Sequence, residues 1–363
     1  MQFSMRSGGL AATLFVALAL TLAGCGSTTT TTTSQGPVSL QETGSTLLYP
    51  LFQIWAPAYT KSHKDIKITP QGTGSGTGIS DAVNGTVQIG ASDAYMANAQ
   101  MQADPGMLNI PLAISAQQIM YNLPGLNQQH LHLSGPVLAG IYTGKITMWN
   151  DPAIKALNPG VQLPAVKIVP IHRSDGSGDT FLFSQYLSFS DSAVWAAPKG
   201  PGYGTTISWP SVPSSISATG NGGMVEALQQ NKGGIAYVGI SFLNQAVQDG
   251  LGYAAIENKA GQFLLPTAQT ISAEAQSLVG TTPKDERVSL IYGPAQGAYP
   301  IINYEYAIVN AKQASPGTAK AVRQFLTWAL TTGNQPTYLD QVHFLPLPSA
   351  IVKMSEAQIA KVQ

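Results

Sequence analysis

Three short runs of glycine and hydroxyl residues carry most of the chemistry legible in this chain. Thr43-Gly44-Ser45-Thr46-Leu47 precedes Leu51, Ile54, Trp55 and Ala58, which recur at helical spacing. Gly72-Thr73-Gly74-Ser75-Gly76-Thr77-Gly78 precedes Ile79, Ala82 and Val83, with Asn84-Gly85 as a stop signal. Arg173-Ser174-Asp175-Gly176-Ser177-Gly178-Asp179-Thr180 precedes Phe181, Leu182, Tyr186 and Phe189. A helix start presents unpaired backbone N–H groups and the positive end of the macrodipole, so each run is a place for an anion to rest. Glycines let the backbone approach, and hydroxyls add donors. Helix capping alone accounts for any one such start. Three in one chain, one beside an arginine, favour a shared ligand. Arg173 offers a planar fork for two oxygens, while its spacing to Asp175 also suits a simple ion pair; the two roles are compatible.

Other phosphate and nucleophile motifs are missing. No segment matches G-x-x-x-x-G-K-[ST], and no G-x-G-x-x-G is completed because residue 77 is Thr and residue 79 is Ile. Neither Ser75 nor Ser177 stands in G-x-S-x-G. His130 and His132 alternate along one expected strand face, but no carboxylate pattern nearby supports a metal site. No catalytic set, metal or cofactor is therefore expected.

The elements that hold these runs follow an α/β pattern. Expected strands are Ile66–Thr69, Val87–Gly90, Gln118–Tyr121, Val166–Ile171, Ile235–Val238 and Ile301–Val309. Expected helices are Tyr49–Tyr59, Gly78–Val83, Pro136–Ala139, Thr180–Ser188, Met224–Gln230 and Thr318–Thr331. At 363 residues the chain suits two lobes, and 44% apolar with 10% charged residues describes a packed globular protein. Its 18 basic and 18 acidic side chains balance, which argues against nucleic acid and leaves room for one local anion site.

The N-terminus reads as an export signal. Arg6 precedes an apolar run from Leu10 to Leu22, too short to span a bilayer, which needs about 20 residues. The run ends in Leu22-Ala23-Gly24-Cys25, a lipobox pattern built on the sole cysteine, so Cys25 is the expected lipid attachment. Two or three acyl chains would hold the chain on a membrane. The Thr28–Thr33 run, closed by Gly36-Pro37, reads as a polar tether.

At these same segments the chain resembles the phosphate-binding subunit of the bacterial phosphate-specific ABC transporter. The resemblance is carried by Gly44-Ser45-Thr46 with Pro50 and Trp55, by Gln71-Gly72 with Gly74-Ser75-Gly76, and by Gly90-Ala91-Ser92-Asp93-Ala94. It continues in Ile141-Tyr142 with Gly144-Lys145-Ile146, Trp149-Asn150-Asp151, Leu157-Asn158-Pro159-Gly160 with Leu163-Pro164, the Arg173 to Gly178 run, and Gly234-Ile235-Ala236-Tyr237-Val238. It covers most of residues 38–350. The resemblance implies a two-lobed clamp of the periplasmic-binding-protein type, each lobe a mixed sheet flanked by helices, with the ligand in the cleft. It implies a signal peptide over 1–24, a tether over 25–36, one lobe from 37–117 with 302–363, and the other from 118–301. By the same resemblance, phosphate is held by Thr46, the backbone of Leu47, Ser75, Asp93, Arg173, Ser177, Gly178 and position 179, with Asp175 orienting Arg173. Permease subunits of the importer are the implied partners, on the outer face of the bacterial cell membrane.

Asp93 makes a specific claim about chemistry. An ionised carboxylate only accepts hydrogen bonds, so it favours a P–OH and repels a bare oxygen. Phosphate keeps a proton near neutral pH and sulfate does not. Like charges facing each other in a buried site cost several kcal/mol, enough to reject sulfate. Many relatives have Thr where this chain has Asp179, which exchanges a hydroxyl donor for a carboxylate. Asp179 is either a second acceptor or a helix N-cap. The leading expectation is high-affinity phosphate capture and delivery to an importer. A binder of another tetrahedral oxyanion and a secreted phosphatase are the rivals.

Overall fold

The structure, a computed structural model, describes residues 37–363. The signal segment, Cys25 and the Thr-rich tether lie outside these residues. The strands are β1 Val38–Gly44, β2 Ile66–Thr69, β3 Ile89–Ser92, β4 Met107–Tyr121, β5 His132–Leu133 and β6 Val169–Arg173. They continue as β7 Ile216–Ala218, β8 Gly234–Gly239, β9 Gly252–Tyr253, β10 Ala255–Glu257, β11 Phe263–Leu264 and β12 Ile302–Asn310. The chain is α/β, with mixed sheets flanked by helices, as the sequence predicts.

The main sheet runs β2-β1-β3-β12-β4-β8-β6-β7, with β9 also on β4. It is two half-sheets joined along one strand. From Met107 to Ala116, β4 pairs antiparallel with β12; from Gln117 to Tyr121 it pairs with β8. β1, β2 and β3 are parallel in the first half, and β6, β7 and β8 in the second. All 15 residues of β4 are buried, as a strand covered on both faces should be.

β4 also carries the main irregularity. Pro111 has no N–H for the ladder, and the register slips there: Glu305 stands opposite Ala113, while Tyr306 stands opposite Pro111. Leu112 is the extra residue, and its carbonyl accepts from Asn334 Nδ2 at 2.7 Å. A bulge of this kind redirects side chains, and here it lies beside Glu305.

The helices begin earlier than their apolar periodicity suggests. They span Ser75–Val83, Gly178–Ser190 and Gly220–Gln230, so the glycines form their first turns. Glycine disfavours a helix by about 1 kcal/mol relative to alanine, but contact overrides that preference. A Cβ on Gly78 would lie 2.6 Å from the Ala91 carbonyl oxygen and 2.7 Å from that of Thr43. Two expected strands also shift. β3 extends to Ser92, and β6 begins only at Val169 because Val166 and Ile168 bond to the Thr147–Trp149 loop.

Each half has an aromatic core. Phe52, Trp55 and Tyr59 of the helix Tyr49–Ser62 pack on Phe325 and Trp328 of the helix Pro316–Leu330. In the second half, Tyr237 stacks between Phe183 and Trp209. Each such ring buries about 150–250 Å², worth several kcal/mol at roughly 25 cal/mol per Å². These cores lie beside the helix starts that follow β1, β2 and β6.

Candidate functional site

The glycine-rich helix starts meet where the two half-sheets face each other. Ser45 Oγ accepts the N–H groups of Leu47 at 3.1 Å and Leu48 at 2.9 Å, which leaves its proton for Asp93 Oδ1. Ser75 Oγ accepts the Asp93 N–H and donates to Asp93 Oδ2, both at 3.2 Å. Asp93, just past the end of β3, is thus held by two serines from two helix starts. It is 2% exposed.

The third start faces it. Arg173 ends β6, and its guanidinium splits between two carboxylates. Nε donates to Asp175 Oδ1 at 2.7 Å and Nη2 to Asp175 Oδ2, while Nη1 donates to Asp179 Oδ2 at 2.9 Å. Ser177 Oγ accepts the Thr180 N–H at 3.2 Å and caps the helix, so that role is not Asp179's. Gly178 fits where no other residue would: a Cβ there would fall 2.3 Å from Asp93 Oδ2 and 2.6 Å from Ser75 Oγ.

A fourth start completes the ring. Asn221, in the first turn of the helix Gly220–Gln230, donates through Nδ2 to Asp179 Oδ2 at 2.7 Å and to Thr46 Oγ1 at 3.0 Å. Its N–H also reaches Thr46 Oγ1, at 3.1 Å, and its Oδ1 accepts the Gly239 N–H at 2.8 Å. Gln117 Nε2 adds a donor to Asp179 Oδ1 at 3.1 Å. Asp179 therefore sits among three side-chain donors.

The electrostatics are unusual for an anion site. One cation, Arg173, stands among Asp93, Asp175 and Asp179, with Glu305 of β12 behind Asp93. Burial pushes Asp93 well above the usual carboxylate range, and Glu305 and Asp179 push it further. Burial raises Asp179 too, although Arg173, Gln117 and Asn221 pull the other way. Burial also weakens the Arg173 charge, but the bonds to Asp175 and the charge of Asp179 outweigh it and keep the guanidinium protonated. Asp175 is held low by Arg173 despite its own burial. The arrangement offers a rigid cation fork, hydroxyl and amide donors, and carboxyl acceptors at one point. That set suits a small anion which itself carries a proton.

The family follows from comparison. The model of the PBP superfamily domain matches residues 27–332. The phosphate-binding protein PstS of Xylella fastidiosa is 34% identical over 320 residues, covering 88% of this chain and 84% of that protein. The phosphate-binding protein PstS of Methanocaldococcus jannaschii is 33% identical over 359 residues, covering 92% and 90%. The chain belongs to the PstS family of phosphate-binding proteins. The crystal structure of the phosphate-binding protein from Stenotrophomonas maltophilia has a similar fold, at a TM-score of 0.69 and 19% identity, covering 88% of this chain and 93% of that one. The resemblance read from the sequence holds.

Thr46, Leu47, Ser75, Asp93, Arg173, Asp175, Ser177, Gly178 and Asp179 fall within one connected set of contacts. One detail differs from expectation: the Leu47 N–H is occupied by Ser45 Oγ, a local serine turn of a common kind. Four members of the set were not read from the sequence as ligands: Ser45, Gln117, Asn221 and Glu305. Asn221 stands in Gly220-Asn221-Gly222-Gly223, a fourth polar glycine start that could have been noticed. Gln117 and Glu305 arrive from strands and carry no local signal. His130 and His132 do not share a site; the ring of one packs on Tyr253 and that of the other stacks on Phe263.

Proposed function

We propose that this PstS-family chain captures inorganic phosphate outside the cytoplasmic membrane and delivers it to the permease of an ABC importer. The observation that carries the reading is Asp93, a buried carboxylate fixed by Ser45 and Ser75 and packed against Gly178, at the helix start whose Asp179 holds the Arg173 fork. The fork takes two anion oxygens and Asp93 takes the P–OH. Ser177, Thr46 and the amides at Gly178 and Asp179 are donors to the remaining oxygens, and Ser75 and the Leu47 amide join them by exchanging their bonds to Asp93 and Ser45 for bonds to the anion. Asp175 orients Arg173, and Asp179 serves as a second acceptor held by Asn221 and Gln117. The chain acts as a binder and not an enzyme: Ser45, Ser75 and Ser177 each already accept backbone amides, the posture of fixed donors.

Residues 37–117 with 302–363 form one lobe and 118–301 the other, a division supported by the change of partner along β4 after Ala116. Cys25 carries the lipid anchor on the outer membrane face. Among the described residues no helix is long and apolar enough to cross a membrane, so on this reading the lipid holds the chain in place and the permease subunits bind the folded part.

The test is calorimetric titration of the purified chain with phosphate and then sulfate. The expected result is micromolar or tighter phosphate binding without a sulfate signal, abolished in Arg173→Ala. Equal binding of sulfate would move the assignment to a general oxyanion binder. No binding of phosphate would overturn it.

A further inference from the structure

Glu305 has no part in the anion contacts described above, yet it lies directly behind them. It is fully buried on β12. Continuing the β12–β3 register from the Tyr306–Ser92 pair brings it opposite Asp93. The slip at Pro111 and Leu112 falls between Glu305 and Tyr306. Glu305 Oε1 accepts from Ser115 Oγ at 2.5 Å and from Asn303 Nδ2 at 3.0 Å. Asn303 Nδ2 also reaches the Asp93 carbonyl at 3.3 Å, which ties the two residues together. Oε2 is buried and receives no donor, and the Asp93 and Glu305 carboxyls act on each other's ionisation.

Two carboxyl groups this close cannot both ionise, because like charges in a buried site repel by several kcal/mol. The pair therefore holds one proton between its two carboxyls. Both oxygens of Asp93 already accept, from Ser45 and from Ser75. Glu305 Oε1 accepts from Asn303 Nδ2 and competes with Asn303 Oδ1 for the single Ser115 hydroxyl proton. Oε2 is the free position.

We propose that Glu305 is a positioning residue for anion recognition, whose carboxyl shares one proton with Asp93. Asp93 is thereby presented to the ligand as an aimed acceptor with no second negative charge behind it. The inference rests on the phosphate reading above and adds to it a pH dependence built into the protein. The charged groups that bear on the pair are Asp179, from the helix Gly178–Ser190, and through it Arg173 and Asp175. Burial raises Glu305 to about 7, against the bonds from Asp93, Ser115 and Asn303 that lower it. Below that value the proton is present and binding is at full strength. Above it Glu305 ionises, a new charge stands beside Asp93, and affinity for an anion falls by up to about tenfold per pH unit.

Glu305→Gln supplies the protonated form permanently: Oε1 still accepts from Ser115 and Asn303, and Nε2 donates to Asp93. Titrating wild type and E305Q with inorganic phosphate from about pH 6 to about pH 8.5 cancels the ligand's own ionisation. The expected result is equal affinity at the acid end and an advantage of about tenfold or more for E305Q at the alkaline end. Parallel profiles would overturn the proposal while leaving phosphate binding intact; failure of wild type to bind phosphate would remove both. A measurement on wild type alone guards against a misfolded variant. Carbon-13 NMR of labelled glutamate should show, among the carboxyls that titrate near neutrality with Glu274 and Glu286, one whose midpoint rises when phosphate is added. If no glutamate carboxyl responds to phosphate, the proposal fails.

Discussion

The N–H of Gly76 donates to the carbonyl of Gly176 across 2.9 Å, joining two helix starts from opposite half-sheets without a side chain between them. A Cβ on Gly76 would lie 3.0 Å from the Gly176 Cα, and one on Gly176 would lie 3.2 Å from the Gly76 Cα. The fit around the candidate ligand is therefore set by backbone, which explains why Gly76 lies inside the helix that it opens.

Gly178→Ala tests this fit directly. Its methyl would overlap Asp93 Oδ2 and the Ser75 hydroxyl, and overpacking of this kind costs about 1–3 kcal/mol. Phosphate affinity should fall by about ten- to hundredfold in calorimetry, because the overlap arises only where the two halves meet.

Arg173→Lys should be nearly as damaging as removal of the side chain. The guanidinium serves Asp175 with two nitrogens and Asp179 with the third. A single ammonium cannot hold both carboxylates and an anion, and bonds to charged groups are worth about 1.5–3 kcal/mol each. A loss of phosphate affinity of at least about thirtyfold is expected by the same titration.

Asp93→Asn should change selectivity more than stability. The amide keeps an oxygen for Ser45 or Ser75 but brings an N–H where an acceptor stood. Phosphate binding should weaken by about tenfold or more, and sulfate binding should become measurable. Competition between the two anions reads the ratio.

Asn221→Ala removes donors to both Asp179 and Thr46 and leaves the Gly239 N–H unpaired. Stranding buried polar groups costs about 1–3 kcal/mol. Both the unfolding temperature and the phosphate affinity should drop, and Asn221→Asp should not restore either, since it sets a carboxylate beside Asp179.

The pH dependence of stability has a definite sign. Burial raises Glu274 to about 7 and Glu286 to about 8, well above the roughly 4.3 of an unfolded chain. The folded chain holds these protons more tightly, so their contribution is whole below about pH 4.3 and is lost as pH rises toward 7–8. In the absence of phosphate, Tm should be several degrees lower at about pH 8.5 than at about pH 5.5. Glu286→Gln, which keeps the acceptor for Ser355 Oγ at 2.8 Å, should flatten the slope.

The sequence exposed the parts of the site that are local. Ser75, Ser177 and Gly178 stand in glycine-hydroxyl runs, and helix-start chemistry identifies such runs without tertiary information. Asp93 and Asp179 came from the family resemblance, and their partners did not come at all. Asn221, Gln117 and Glu305 are joined to the site only by pairing between distant segments. β4 was legible only from Gln118 onward. Pro111 argues against a central strand, and the bulge that accommodates it is visible only in the ladder. Helix starts were placed late for a related reason: propensity disfavours the glycines that the close backbone contacts require.

β4 and β12 lie side by side as they approach the junction between the half-sheets, with the Gln117 N–H bonded to the Ile301 carbonyl at 3.0 Å. Two cross-linked straps bend readily out of their common plane and resist twisting about their length. If the halves part at this joint, they swing like a door on one axis instead of tumbling like beads on a string. The residence time of a captured ion would then follow the rate at which this one angle widens, and a membrane partner gripping both outer surfaces would need to change only that angle to trigger release.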